Sequence, residues 1–219
     1  MQKKLIIFDL DGTLLDTVHD IAASVNYALE QNKFPTHPVD AYYSFIGNGL
    51  DKMLERALPE NHRKNEEIAL MRVYFIEHYY KHSDDLTQPY AGINDLLEKL
   101  QAEGYQLAVA SNKVHEGTTQ LVERFFPNIR FVAVFGQRQG HKAKPDAGIL
   151  NEIIALAGVE KNAVLYVGDS GVDAATAINA DVDFAGVLWG FRPRTELAIS
   201  GAKTFVANCD ELYALLAQY

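Results

Sequence analysis

The apolar positions of this chain follow two different periods. Leu5-Ile6-Ile7-Phe8 is an unbroken apolar run too short for a helix, and its Ile and Phe content predicts a strand buried on both faces. Over 17–31 the apolar residues Val18, Ile21, Ala22, Val25, Ala28 and Leu29 recur at helical spacing, and Asp16-Thr17 in front of them offers N-cap chemistry. Phe34-Pro35 and His37-Pro38 break that helix. Tyr42, Tyr43, Phe45 and Ile46 lead into Gly47-Asn48-Gly49, and Leu50, Met53, Leu54, Ala57 and Leu58 make another apolar face. The longest helical pattern, over 66–81, carries Ile68, Met71, Phe75 and Tyr79 on one stripe, which at this spacing reads as core. His78 and His82 share a face of that helix, but without a third ligand nearby they read as surface histidines rather than a zinc pair.

After the connector Thr87-Gln88-Pro89-Tyr90 the periods alternate. A helix with Ile93, Leu96, Leu97 and Leu100 stops at Gly104, and a strand over 107–110 ends in Ser111-Asn112-Lys113. A helix over 117–126, a strand over 131–135, a loop with Lys142 and Lys144-Pro145, and a helix over 147–157 follow. The strand 164–167 ends in Gly168-Asp169-Ser170, and the next helix carries Asp173 near its start. Apolar stretches at 184–189 and 204–207 and a helix over 212–216 complete the series. Strands separated by single helices predict βαβ units and a parallel sheet. The all-helical stretch cannot belong to that alternation and predicts an inserted domain, so the chain divides into core (1–15), helical insert (16–88) and core again (89–219).

Composition narrows the function. At 219 residues, with 48% hydrophobic and 22% charged residues, the chain can bury a substantial core and has the balance of a globular protein. A formal net charge of -9 argues against nucleic acid or an anionic membrane as partner and leaves small molecules. The single cysteine, Cys209, cannot form an internal disulfide, which predicts a reducing, cytoplasmic location. The apolar run behind the basic Lys3-Lys4 stops at Phe8, too short for a signal sequence or a membrane span.

The chemistry begins where the first strand meets acid. With the chain extended through Leu10, Asp9 and Asp11 fall on one side, and two carboxylates so close repel unless a cation or a shared proton intervenes. Turn chemistry accounts for Asp11-Gly12 but leaves Asp9 unexplained. In a parallel α/β sheet, ligands bind beyond the carboxyl ends of the strands, and Asp9, Asp11, Ser111, Asn112, Asp169 and Asp173 all follow strand ends, with Lys144 in a loop before a helix. Taken singly, Lys144 reads as a solvated surface lysine, Ser111 as a helix cap and Asp173 as a first-turn acid. Taken together, the carboxylates call for a hard divalent cation, which Mg²⁺ fits, and the lysine and hydroxyl are left to hold an anion such as phosphate.

Asp9-Leu10-Asp11-Gly12-Thr13, Ser111-Asn112, Lys144-Pro145 and Gly168-Asp169-Ser170 with Asp173 resemble, in order, the motifs of the haloacid dehalogenase superfamily of phosphohydrolases. The resemblance implies a Rossmann-like parallel core with helices on both faces and an all-α cap inserted after the first motif. It implies Asp9 as nucleophile and metal ligand, Asp11 as general acid and base with its main-chain oxygen on the metal, and Ser111, Asn112 and Lys144 as phosphate ligands. Asp169 is implied as a metal ligand, and Asp173 as supporting the metal directly or through water. Asp11 is absent from the dehalogenases themselves, so phosphate-ester hydrolysis through an aspartyl-phosphate is the implied reaction.

Phe45-Ile46-Gly47-Asn48-Gly49, Glu55-Arg56-Ala57-Leu58 and Ala110-Ser111-Asn112-Lys113 resemble the phosphoglycolate phosphatase branch, which implies a small phosphorylated metabolite as substrate and Gly47, Asn48 and Gly49 as the cap's edge of the pocket. Related caps serve sugar phosphates, nucleotides and pyrophosphate. A β-phosphoglucomutase-like phosphohexomutase is the alternative enzyme, disfavoured by Thr13 where those mutases usually have Val. A phosphate-sensing receiver-like module is the non-enzymatic alternative, disfavoured by Asp11 and by the insert. The chain is expected as a monomer or homodimer.

Overall fold

The chain is described over residues 2–219 by a computed structural model. Strand β1 (Leu5–Phe8) lies between two parallel neighbours, β4 (Gln106–Val114) and β6 (Val164–Gly168). Its side chains alternate between two cores: Ile6 and Phe8 enter one apolar cluster, Leu5 and Ile7 another, and all are fully buried. That is why the run is continuously apolar rather than alternating. With β5 (Phe131–Gln137), β7 (Asp183–Val187) and β8 (Phe205–Val206), the sheet has the all-parallel order β5-β4-β1-β6-β7-β8.

Helices cover both faces. α5 (Ile93–Ala102), α6 (His115–Phe125) and α10 (Cys209–Leu216) contribute to the cluster around Ile6 and Phe8, whereas α7 (Gly148–Ala157) and α8 (Gly171–Ala180) contribute to the one around Leu5 and Ile7. The chain moves from β1 to one side of the sheet and returns to the other, so the strand order reverses beside β1. In such sheets that switch point is where ligands bind, beyond the carboxyl ends of the strands.

Between β2 (Leu15–Asp16) and β3 (Gln88–Pro89) run α1 (Val18–Gln31), α2 (Val39–Phe45), α3 (Leu50–Ala57) and α4 (Asn65–His82). These helices pack through an apolar cluster of their own, with Val25, Leu29, Tyr42, Leu54 and Met71 buried at its centre. Among the described residues no helix is long and apolar enough to cross a membrane.

Four details depart from the sequence reading. The connector pairs as β3 with β2, an antiparallel ladder where the helical segment leaves and rejoins the sheet; two residues a strand carry no readable period. Strand β4 continues through Val114, so Ser111, Asn112 and Lys113 lie in the strand, where its register with β5 shifts, rather than in a loop after it. Thr17 precedes α1 without capping it through its side chain, because its hydroxyl bonds Asp11 instead. The short α9 (Arg194–Ile199) has too few residues to show a period.

Candidate active site

Strand β1 is the central rail of the site. The Asp9 amide still hydrogen-bonds the Val167 carbonyl at 2.9 Å, which fixes the backbone at the switch point while the side chain emerges into the opening. Asp9 Oδ1 accepts from Lys144 Nζ at 2.8 Å, and the same ammonium donates to Asp173 Oδ1 at 2.7 Å and to the Ala110 carbonyl at 3.0 Å, with the Tyr166 hydroxyl oxygen 2.9 Å away. Lys144 is only 5% exposed, so it is no solvated surface lysine. Asp173 is fully buried: Tyr166 donates to its Oδ1 at 2.6 Å, and the Ser170 amide and hydroxyl donate to its Oδ2, closing a capping box on α8. Asp173 is thus both the first-turn acid of its helix and a member of the polar cluster.

Asp169 is closely packed. Its Oδ2 accepts from the Phe191 amide at 2.7 Å, and two glycines press against it. Gly12 has φ +87, and a Cβ there would lie 2.3 Å from Asp169 Oδ2; a Cβ on Gly190 would lie 2.3 Å from the Asp169 Cβ. Asp11-Gly12 is therefore turn chemistry with a second purpose, letting a carboxylate approach the backbone of the β1 loop.

One carboxylate oxygen from each of Asp9, Asp169 and Asp173 falls within 4.8 Å of the others, and all three residues are buried. The electrostatics follow. Burial first, then the charge of Asp173, pushes the Asp9 carboxyl up to about 7 against the pull of Lys144. Burial, Asp173 and Asp9 raise Asp169 well above the usual carboxylate range. Burial works against the Lys144 ammonium, but Asp173 and Asp9 outweigh it and its pKa rises. An all-oxygen group with this much mutual repulsion is matched to a hard divalent cation.

Asp11 lines the same opening. Its Oδ1 accepts from the Thr17 hydroxyl at 2.7 Å and from Lys113 Nζ at 2.9 Å. Asn112 ties three segments together: its Oδ1 accepts from the Lys144 amide at 2.8 Å, and its amide group donates to the Lys144 and Gly47 carbonyls, each at 3.1 Å. Asn112 is expected among the phosphate ligands; its side-chain amide hydrogens are on carbonyls, which ties Lys144 to the helical segment. Ser111, 2% exposed, lines the pocket and accepts from the Lys113 amide rather than capping a helix. Gly47 and Gly49 also line the pocket, whereas Asn48 turns its Oδ1 to Arg56 at 2.7 Å.

The helical segment closes the opening into a pocket that leaves about 80 Å³ for the centres of water-sized molecules, room for a small ligand. Arg192, on the loop after β7, reaches over to the carbonyls of Tyr43, Ser44 and Ile46, and Phe191 meets Tyr43 edge-on at 5.5 Å. From α4, Phe75 and Tyr79 belong to the helical core, as their stripe predicts, and also line the pocket. His78 bonds Ser24 at 3.0 Å and stacks on Tyr27, and His82 bonds Asp85. Sequence reasoning missed the site positions of Thr17, Tyr79, Lys113, Tyr166 and Arg192. Lys113 alone had a readable signal, its place directly after Ser111-Asn112 at a strand end.

A parallel α/β sheet with a buried carboxylate cluster and a lysine at its switch point is the arrangement of a ligand-binding, enzyme-like site able to hold a cation and an anionic group side by side. The chain belongs to the haloacid dehalogenase-like hydrolase family, whose model matches residues 6–187. It is similar to the phosphoglycolate phosphatase of Mesorhizobium japonicum, 32% identical over 197 residues that cover 89% of this chain and 86% of the relative. That of Cereibacter sphaeroides is 36% identical over 193 residues, covering 85% and 86% respectively. A solved structure of a proposed phosphoglycolate phosphatase from Lactobacillus delbrueckii subsp. bulgaricus superposes with a TM-score of 0.92 at 32% identity and covers 99% of each chain.

Proposed function

We propose that this hydrolase is a Mg²⁺-dependent phosphatase that cleaves a small phosphate monoester, 2-phosphoglycolate foremost, through an aspartyl-phosphate on Asp9. The observation that carries the reading is the pairing of Asp9 with Lys144 at 2.8 Å, in a pocket that also holds Ser111 and Asp11. A carboxylate attacks a phosphate dianion only where positive charge offsets their repulsion, and Lys144 supplies such charge at the nucleophile. The relatives named above support the choice of substrate.

Asp9 and Asp169 would hold the cation, with Asp173 orienting Lys144 and Ser170 beside them, since both Asp173 oxygens already accept hydrogen bonds. Bound there, Mg²⁺ supplies charge neutralisation for a transferring phosphoryl group. The residues do the rest. A carboxylate oxygen of Asp9 bonds to phosphorus as the bond to the leaving oxygen breaks, and protonated Asp11 gives its proton to that oxygen. Asp11 then takes a proton from the water that attacks the same phosphorus, which frees Asp9 and releases inorganic phosphate. Ser111 and Lys144 hold the phosphoryl oxygens, and the segment from α1 to α4 acts as the cap that keeps bulk water out.

Phosphate release from 2-phosphoglycolate, a hexose 1-phosphate, a nucleoside monophosphate and pyrophosphate, with Mg²⁺ or with EDTA, tests this reading. The highest kcat/KM is expected for 2-phosphoglycolate, with turnover abolished by EDTA. A hexose phosphate preferred by about tenfold would overturn the substrate while leaving the chemistry. No release from any of them would overturn the chemistry as well.

A further inference from the structure

We infer that Tyr79 of α4 and Lys113 of β4 form the subsite for a carboxylate on the substrate's leaving group, and that this pair selects 2-phosphoglycolate over uncharged esters of the same length. The inference rests on the phosphatase reading above and concerns the part of the pocket beside Asp11.

Buried polar side-chain atoms in folded proteins are nearly always hydrogen-bonded. Among the described residues, the buried side-chain atoms without a partner are Asp16 Oδ1, Glu67 Oε2, Tyr79 Oη, Thr87 Oγ1 and Arg138 Nε. Of these residues only Tyr79 lines the pocket, and it is 5% exposed. Its oxygen is buried against the Lys113 ammonium, and no acceptor is in place for its hydroxyl hydrogen, which leaves the phenol able to donate to a ligand that enters the pocket. Lys113 lies beside it: the ammonium is 4.7 Å from the centroid of the Tyr79 ring and 2.9 Å from Asp11 Oδ1. An ammonium carries three N–H donors, and Asp11 takes one of them.

Placement relative to the chemistry selects the ligand group. A leaving oxygen protonated by Asp11 lies within hydrogen-bond reach of that side chain, and in a glycolate ester the carboxylate carbon is only two bonds further on. The cation within that reach is Lys113, already bonded to Asp11. Arg192 also lines the pocket, but its guanidinium is committed to the carbonyls of Tyr43, Ser44 and Ile46. The walls that α1, α3 and α4 add are largely apolar, with Ile21, Met53, Phe75 and Ile76, and would not tolerate a carboxylate without such partners. Tyr79 and Lys113 together offer what a carboxylate requires, a charge and a directed donor.

The test compares kcat/KM, with Mg²⁺, for 2-phosphoglycolate and for 2-hydroxyethyl phosphate, which replaces the carboxylate by a hydroxymethyl group. Wild type is expected to prefer 2-phosphoglycolate by at least about tenfold. Tyr79→Phe is expected to cut that preference about fivefold or more, chiefly through the KM for 2-phosphoglycolate. Lys113→Met is expected to abolish it, and since Lys113 also touches Asp11 the readout is the ratio between the two esters rather than either rate. A preference within about twofold of wild type in Tyr79→Phe, or in Lys113→Met should the first variant fail to fold, overturns the subsite and leaves the phosphatase standing. A wild type without any preference for the carboxylate overturns the subsite and the choice of 2-phosphoglycolate together, while hydrolysis of the hydroxyethyl ester still reports the chemistry.

Discussion

Asp9 and Asp11 are two residues apart and live in different surroundings. Asp9 is held by Lys144 among buried carboxylates, while Asp11 accepts from Thr17 and Lys113. The proposed roles follow that difference: the residue against the lysine attacks, and the residue toward the leaving group moves the proton. Asp9→Asn is expected to fold and to lose turnover by at least about 10⁴-fold, because the proposed reaction runs through a covalent bond to its carboxylate. Asp11→Asn is expected to lose about 10²- to 10⁴-fold in kcat, the usual worth of a positioned proton donor. Phosphate release under saturating Mg²⁺, with thermal melts as folding controls, measures both; Asp9→Asn protein that turns over near the wild-type rate would dismiss the assignment. The aspartates were legible because they abut an apolar strand, where a polar residue needs a reason. Thr17 and Tyr166 were not, since a threonine ahead of a helix and a tyrosine inside an apolar strand each have an ordinary explanation.

The helices α1 to α4 and the sheet meet through a few contacts that are long in sequence. Arg192 donates to the carbonyls of Tyr43, Ser44 and Ile46, and Asn112 donates to the Gly47 carbonyl, so two core residues hold the loop that edges the pocket. On the proposed cap reading these bonds stabilise the closed form over an open one. Hydrogen bonds from a charged donor contribute about 1.5–3 kcal/mol each where buried, and Arg192 is only partly so. Arg192→Ala is accordingly expected to lower kcat/KM about tenfold, mostly through KM, with little change in Tm. Steady-state kinetics with 2-phosphoglycolate check this, and unchanged kinetics would show that the contact does not hold the pocket closed. Periodicity revealed the helices but not this grip, because an arginine in a loop after a strand looks like any solvated charge until the partner loop is folded against it.

At the scale of the whole molecule, a cluster of buried carboxylates leaves stability dependent on pH and on cation. The Asp9 carboxyl is carried from an ordinary 3.8 up to about 7, so between those values the folded protein keeps a proton that the unfolded chain has released. Its contribution to stability is complete below the lower value and is lost as pH rises through the upper one, and Asp169 shifts in the same direction. A divalent cation at these oxygens replaces the proton and relieves the repulsion. Mg²⁺ at a hundredfold excess over its Kd is expected to raise Tm by roughly 5–10 °C at about pH 8, and by clearly less at about pH 5, where it must displace bound protons. Scanning calorimetry with and without Mg²⁺ measures the difference, and equal rises at both pH values would place the cation elsewhere. The sequence by itself determined the parallel α/β class, the helical insertion after the first strand, and the positions of the strand-end acids, because burial imposes a period on apolar residues and leaves acids only at the ends of buried strands. Only the tertiary structure decided which of those groups meet, that Asn112 bonds carbonyls, and that Tyr79, Lys113 and Arg192 belong to the pocket. Contacts between residues far apart in the chain leave no periodic trace, since each partner is chosen by the fold rather than by its neighbours in sequence.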